Sequence, residues 1–204
     1  MDDFRIQDEE SFGFVKSRLY ALTSHWRSRF IQFVASDIGS RNPRSVLDIG
    51  CGTGDILVQL RGLGIELYGV DPSLFMLGLA EKKIRDSDPN HELSPVFLSR
   101  GNNRHIPFDR EFDVIFSSLS FHHWKCRDES IPNILARLSG HGEFVIYEYD
   151  GEAMSFLRRL IMGKHTLSEV DVKGLRFEGY SAKVQHSGSV IVVSFKKTLS
   201  KNLT

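Results

Sequence analysis

A chain of 204 residues, 41% of them hydrophobic, suits one globular domain with a single sizeable core. Its 26 Lys and Arg balance 26 Asp and Glu, which argues against a generic nucleic-acid binder, because phosphate affinity comes from clustered cations. Two cysteines, Cys51 and Cys126, support neither a disulfide framework nor a Cys-based zinc site, and no run approaches the roughly 18 apolar residues of a membrane span. With an acidic start at Met1-Asp2-Asp3, unlike a secretory leader, a reduced and cytoplasmic protein is expected.

Val15, Leu19, Leu22, Trp26, Phe30 and Phe33 recur at three- and four-residue steps, so the spacing predicts an amphipathic helix over 14–38 that stops at Gly39, ahead of Pro43. Strands and helices then alternate: strand 45–49, helix 54–62, strand 65–70, helix 73–86, strands 95–98 and 112–117, helix 127–138 and strand 142–149. Ser87-Asp88-Pro89-Asn90 is loop-like, and Ser139-Gly140-His141-Gly142 reads as a turn before the fifth strand. A helix is expected at 153–162, and Thr166 with Glu169 makes a capping box for another. Strands at about 175–185 and 189–197, joined by His186-Ser187-Gly188, read as a hairpin. The expected architecture is α/β: a Rossmann-like, doubly wound parallel sheet. One domain would comprise a helical cap at 1–40, a ligand-binding core at 41–150 and a closing helix and hairpin at 151–204. From residue 151 onward nine Lys or Arg face four acids, which we read as a solvated basic face in preference to a site for an anionic partner.

Residues 46–54 read Val-Leu-Asp-Ile-Gly-Cys-Gly-Thr-Gly, an apolar strand running into glycines at alternate positions. A ligand lying across the carboxyl ends of parallel strands must approach backbone there, and a Cβ at Gly50 or Gly52 would hold it away. Asp71 ends the second strand 21 residues past Gly50, near the offset at which a βαβ unit offers a carboxylate to ribose hydroxyls. A phosphate-cradling loop would need a Lys after its glycines, and a dinucleotide fingerprint would need its third glycine where Asp55 stands. Both pyrophosphate readings therefore fail, and G-x-G-x-G after an acid remains.

At these residues the chain resembles motif I of the class I S-adenosylmethionine (SAM) dependent methyltransferases. Leu67-Tyr68-Gly69-Val70-Asp71-Pro72-Ser73, followed by Met76 and Leu77, resembles the family's ribose-binding strand end and the helix after it. Arg100-Gly101-Asn102-Asn103 with Ile106-Pro107-Phe108 is similar to the loop that reads the adenine edge, with Asn102 where many relatives carry Asp. Phe112-Asp113-Val114-Ile115-Phe116-Ser117-Ser118 and Leu119-Ser120-Phe121-His122-His123 resemble the fourth strand of small-molecule members, especially the ubiquinone and menaquinone biosynthesis type. The resemblance implies a mostly parallel seven-stranded sheet that ends in an antiparallel hairpin, and SAM as cofactor. It implies cofactor contacts from Asp48, near the methionine amino group, and from Gly50, Cys51 and Gly52. Further contacts would come from Asp71 and Pro72, from Met76, from Asn102 and Asn103, and from Ser118.

Methyl transfer from a sulfonium is an in-line displacement with a good leaving group, so positioning carries most of the catalysis and a protein base is needed only for an acceptor that must lose a proton. His122 and Glu148 are the candidates for that role. Glu148 stands out because charge is rare in a strand covered on both faces, although a solvated strand-end acid beside Asp150 is the plainer reading. Adjacent histidines in an extended segment point opposite ways, which speaks against His122 and His123 sharing a metal, and no metal is expected. Tyr20, His25 and Trp26 lie on the leading helix, which in similar proteins helps cover the active site. The reading reached is methyl transfer to a small or medium organic acceptor, with a SAM-binding accessory protein without turnover as the alternative. Ser117-Ser118-Leu119-Ser120 in place of an Asn- or Asp-Pro-Pro-Tyr sequence argues against a base-modifying enzyme, and the substrate side is expected to be open or completed by a second copy in a homodimer.

Overall fold

The computed structural model describes residues 24–90, 92–150 and 175–198. The helix expected at 153–162, the capping box at Thr166 and Glu169, the first part of the leading helix and the side chains of His25 and Trp26 lie outside them.

In chain order the elements are α1 (Ser24–Ser40), β1 (Ser45–Ile49), α2 (Asp55–Leu60) continued by a 3-10 turn (Arg61–Leu63), β2 (Glu66–Asp71), α3 (Leu74–Asp86), β3 (Val96–Arg100) and β4 (Phe112–Ser118). A second 3-10 turn (Phe121–His123) precedes α4 (Arg127–Leu135), β5 (Leu138–Tyr149), β6 (Tyr180–Ser187) and β7 (Val190–Lys197). The seven strands form one sheet in the order β3-β2-β1-β4-β5-β7-β6. β1 to β5 pair in parallel, and β7 is antiparallel to both β5 and β6. The chain leaves β3 at one edge and re-enters beside β1 as β4, so the strand order reverses there. A crevice opens at the carboxyl ends of β1 and β4, where sheets of this kind bind ligands.

Alternate residues of each strand serve opposite faces. Val46, Leu67, Val114, Val145 and Tyr147 pack with Phe30, Val34 and Ile38 of α1, Leu57 of α2 and Leu77 of α3. Leu47, Ile49, Ile115, Phe144 and Ile146 pack on the other face with Trp124 and with Ile131, Ile134 and Leu135 of α4. β1 is buried along its whole length, as befits a central parallel strand, with Ser45 and Asp48 buried among its apolar residues. Among the described residues no helix is long and apolar enough to cross a membrane.

Three local expectations change. α4 ends at Leu135, short of 138, because Leu138 is recruited into β5 as the partner of Phe112, whose amide donates to Arg137 O. The expected turn at 139–142 is instead an irregularity within β5. Between the pairs Phe112↔Leu138 and Val114↔Glu143, Asp113 alone lies opposite Ser139 to Gly142, and Ser139 Oγ donates to it at 2.8 Å. The hairpin turn is centred on Gly188 and Ser189, with Ser187 paired to Val190, so β6 runs to Ser187. Gly188, at φ 59, takes the left-handed position of that tight turn.

Candidate active site

The loop after β1 is shaped by what lies beneath it. Gly50 has φ 82, and a Cβ there would stand 2.4 Å from Ser120 Oγ. That hydroxyl donates to Ile49 O at 2.9 Å and shares a 2.7 Å hydrogen bond with Ser117 Oγ, so the turn after β4 floors the turn after β1. Gly50 and Cys51 both donate their amides to Val70 O, tying the loop to β2. On the outer side Lys83 of α3 reaches Asp55 Oδ1 at 2.7 Å and Thr53 Oγ1 at 3.1 Å, which gives Asp55 a bracing role at the N-terminus of α2.

Asp71, at the tip of β2, accepts Gly52 N–H through Oδ2 and Ser73 N–H through Oδ1, each at 2.9 Å. Each carboxylate oxygen has a second lone pair for a ligand. The cap of α3 comes from Ser73, whose Oγ accepts from Met76 N, so Asp71 is not needed as the cap. Met76 Cε lies 3.5 Å from where a Cβ on Gly52 would stand, so the thioether arm faces the glycine loop. Pro72 follows Asp71, and its carbonyl accepts from Arg100 Nε. Asp48 is 1% exposed, and its Oδ1 is a fully buried oxygen without a hydrogen bond. Burial, and then the charge of nearby Asp71, hold the Asp48 carboxyl well above the usual carboxylate range. Burial also raises Asp71, against the two amides that stabilise its charge.

Cys51 turns its thiol into the core below the loop, and burial, followed by the charges of Asp48 and Asp71, raises its pKa. Any contact from Cys51 to a ligand is therefore through backbone. Asn102 and Asn103 are 2% and 1% exposed. Asn102 Oδ1 accepts the amides of Arg104 and His105, while Asn103 Nδ2 donates to Ser130 Oγ and Lys125 O. The pair holds the loop after β3 in shape from within. Ser118 ends β4, half-buried, opposite Tyr147.

His122 and Glu148 meet. Glu148 is fully buried; its Oε2 lies 3.0 Å from His122 Nδ1 and its Oε1 accepts His122 N–H at 3.3 Å. The plainer reading of Glu148 as a solvated acid is overturned by that burial. Phe121–His123 is a 3-10 turn, not an extended segment, and the two histidine rings lie with centroids 4.0 Å apart. Three participants escape the sequence. Ser120 is found only through the space Gly50 leaves. Arg127 lies with its guanidinium 4.5 Å over the Phe121 ring and donates to the carbonyls of Phe121 and His122. His186 of β6 contacts Asp150 Oδ2 through Nδ1 at 2.9 Å, fastening the hairpin to the end of β5. A separate cleft of about 570 Å3 between the β3–β4 connection and α4 mixes Arg104, Arg110 and Arg137 with Asp109 and Glu111, and none of the glycine-loop residues lines it.

Residues 46–142 match the family model described as a methyltransferase domain. The chain is 30% identical over 132 residues to a demethylmenaquinone methyltransferase of Thermotoga maritima, covering 63% of this chain and 52% of that one. It is 31% identical over 129 residues to a tRNA U34 carboxymethyltransferase of Tolumonas auensis, covering 61% of this chain and 38% of that one. The chain thus spans about half of the length of the first of these curated relatives and 38% of the second. Among solved structures, the plantazolicin methyltransferase BpumL in complex with S-adenosylhomocysteine (SAH) shares the fold, with a TM-score of 0.72 at 16% identity over 91% of each chain. Residues 46–142 thus carry the match to a methyltransferase domain, and the seven-stranded sheet has the fold of a SAH-bound methyltransferase.

Proposed function

We propose that the protein transfers a methyl group from SAM to a small or medium organic acceptor lying over the carboxyl ends of β4 and β5. One observation carries the choice of ligand: two buried carboxylates, Asp71 at the end of β2 and Asp48 one residue before the end of β1, lie beneath a loop that offers only backbone. Such a pair repels phosphate and favours a cation that also carries vicinal hydroxyls. The unpartnered Oδ1 of Asp48 suits an ammonium donor, and Asp71, steadied by Gly52 and Ser73, suits the ribose diol. Gly50, Cys51 and Gly52 would serve through backbone, Pro72 and Met76 as apolar walls, the loop shaped by Asn102 and Asn103 at the adenine, and Ser118 at the methionine part. When bound, SAM supplies a methyl group on a sulfonium.

A small acceptor is favoured over nucleic acid by the balanced charge and by the Ser-rich end of β4, although the relatives include one named for a tRNA substrate. Two free cysteines support an intracellular setting. A second copy closing the substrate side is a proposal that light scattering tests directly. The function is tested by incubating the protein with methyl-tritiated SAM and either a small-molecule extract or total tRNA. Label in the small-molecule fraction with stoichiometric SAH is expected. Label in the tRNA overturns the acceptor class, and SAM held but never consumed favours the accessory reading.

A further inference from the structure

We propose that Asp48 is a neutral acid until the cofactor binds, and that it gives one proton to water as it takes the ammonium of the methionine part, so that cofactor loading is linked to pH. This rests on the methyl-transfer reading above. Asp48 is 1% exposed, and its Oδ1 is buried without a hydrogen bond. The side chains beside it across the sheet offer nothing polar: its partner on β2 is Gly69 and its partner on β4 is Phe116. The Cys51 thiol takes the space over Gly69, 3.0 Å from where a Cβ would stand. An ionised carboxylate so placed is costly, because nothing there replaces its water. Asp71 is the contrast: it too is buried, yet the amides of Gly52 and Ser73 hold its charge.

The groups around Asp48 push the same way. The charge of Asp71 on β2 disfavours a second anion beside it, and the Cys51 thiol of the loop is itself held uncharged by burial and by both carboxyls. The cations on this face of the sheet have other carboxylates. Arg41 of α1 pairs with Asp37, which also accepts Tyr147 Oη of β5, and with Glu143. Lys83 of α3 pairs with Asp55 of α2, and Arg27 of α1 has partners of its own. The remaining side chains of the helices packed here, Phe30, Val34, Ile38, Leu57 and Leu77, are apolar.

An opposite charge within about 4–6 Å favours the ionised form of a carboxyl. Facing an ammonium, Asp48 therefore becomes an anion: its O–H bond breaks, the electron pair stays on oxygen, and the proton goes to water, while the ammonium keeps its own protons. Affinity for a ligand that carries the ammonium then rises about tenfold per pH unit between the pKa of the bound carboxyl and that of the free one, and levels off above the latter. A ligand without the ammonium leaves Asp48 protonated and shows no such rise.

The test is calorimetry on the full chain at about pH 5.5, in two buffers of different ionisation enthalpy, with SAH and with methylthioadenosine, which keeps the adenine, ribose and sulfur but lacks the ammonium. At this pH an α-amino group, with an ordinary pKa of about 8, arrives fully charged, so released protons come from the protein. About one proton released per SAH and none per methylthioadenosine is expected, with SAH affinity rising about tenfold from pH 5 to pH 6. Carbon-13 NMR of the Asp48 carboxyl, assigned by its loss in Asp48→Asn, should show the acid form in the free protein and with methylthioadenosine, and the ionised form with SAH. An Asp48 carboxyl already ionised in the free protein overturns the proposal, as does SAH binding without proton release. Equal release by both ligands also overturns it, because the proton then belongs to Asp71 at the ribose. Failure of the wild type to bind SAH at any pH would instead sink the methyl-transfer reading on which the proposal rests.

Discussion

At Asp48 function and stability oppose each other. The raised pKa of this buried carboxyl means that the folded chain holds the proton more tightly than the unfolded one, so folding stability falls as pH rises from about 4 toward the raised value. Asp48→Asn removes the titration. Its melting temperature should exceed that of the unliganded wild type by a margin that grows with pH, while SAM binding is lost; a margin independent of pH would show that Asp48 does not titrate as its burial requires. At Gly50, alanine would place a methyl group against Ser120 Oγ at φ 82, and thermal unfolding should report a loss of about 1–3 kcal/mol. The placement of Asp71 and the glycines at the strand ends was legible because their residue types are forced by backbone approach and by the βαβ offset. Ser120 and Arg127 were not, because a serine in a turn or an arginine opening a helix carries no spacing signal, and their roles depend on contacts made only after the sheet has formed. Asn102 and Asn103 show the same limit in another way: their position in the chain was readable, but not that their amides fasten the loop from inside.

Among the elements, the connection from α3 to β3 depends on one buried ion pair. Arg61 Nη2 lies 2.8 Å from Asp88 Oδ2, both residues are 5% exposed, and Arg61 also donates to Ile84 O, Ser87 Oγ and Ser94 O. Asp88 in turn accepts the amides of Glu92 and Leu93. Removing one partner leaves a buried charge, so Arg61→Met should cost about 3–5 kcal/mol in a denaturant titration. A loss within the error of the titration would show that water reaches Asp88. The strand and helix alternation was legible from apolar periodicity, while β6 begins at Tyr180 rather than about 175, and pairing across the sheet moved the end of α4 and the start of β5. Phe112 draws Leu138 into β5, which shortens α4 and turns the expected Gly-rich turn into an irregular stretch opposite Asp113. A helix-terminus signal read along the chain cannot register a partner 26 residues away.

For the whole molecule, alternating strands and helices imply a parallel sheet, and the sheet order puts the one reversal between β1 and β4, directly over the glycine loop. The α1 helix is held to that sheet by Tyr147 Oη donating to Asp37 and by Arg41 pairing with Asp37 and Glu143, so the helix before β1 and the strand that carries Glu148 form one unit. A ligand seated in the crevice joins β1, β2 and β4 and should stabilise the native state by about 2.7 kcal/mol at a hundredfold excess over its Kd. The most direct measurement is a calorimetric titration of the purified chain with SAM and with SAH, repeated on Asp71→Ala after confirming that the variant unfolds cooperatively. One-to-one binding of both ligands by the wild type, lost in the folded variant, is the expected result; no heat with either ligand, or equal binding by the variant, would contradict a SAM site at the ends of β1 and β2.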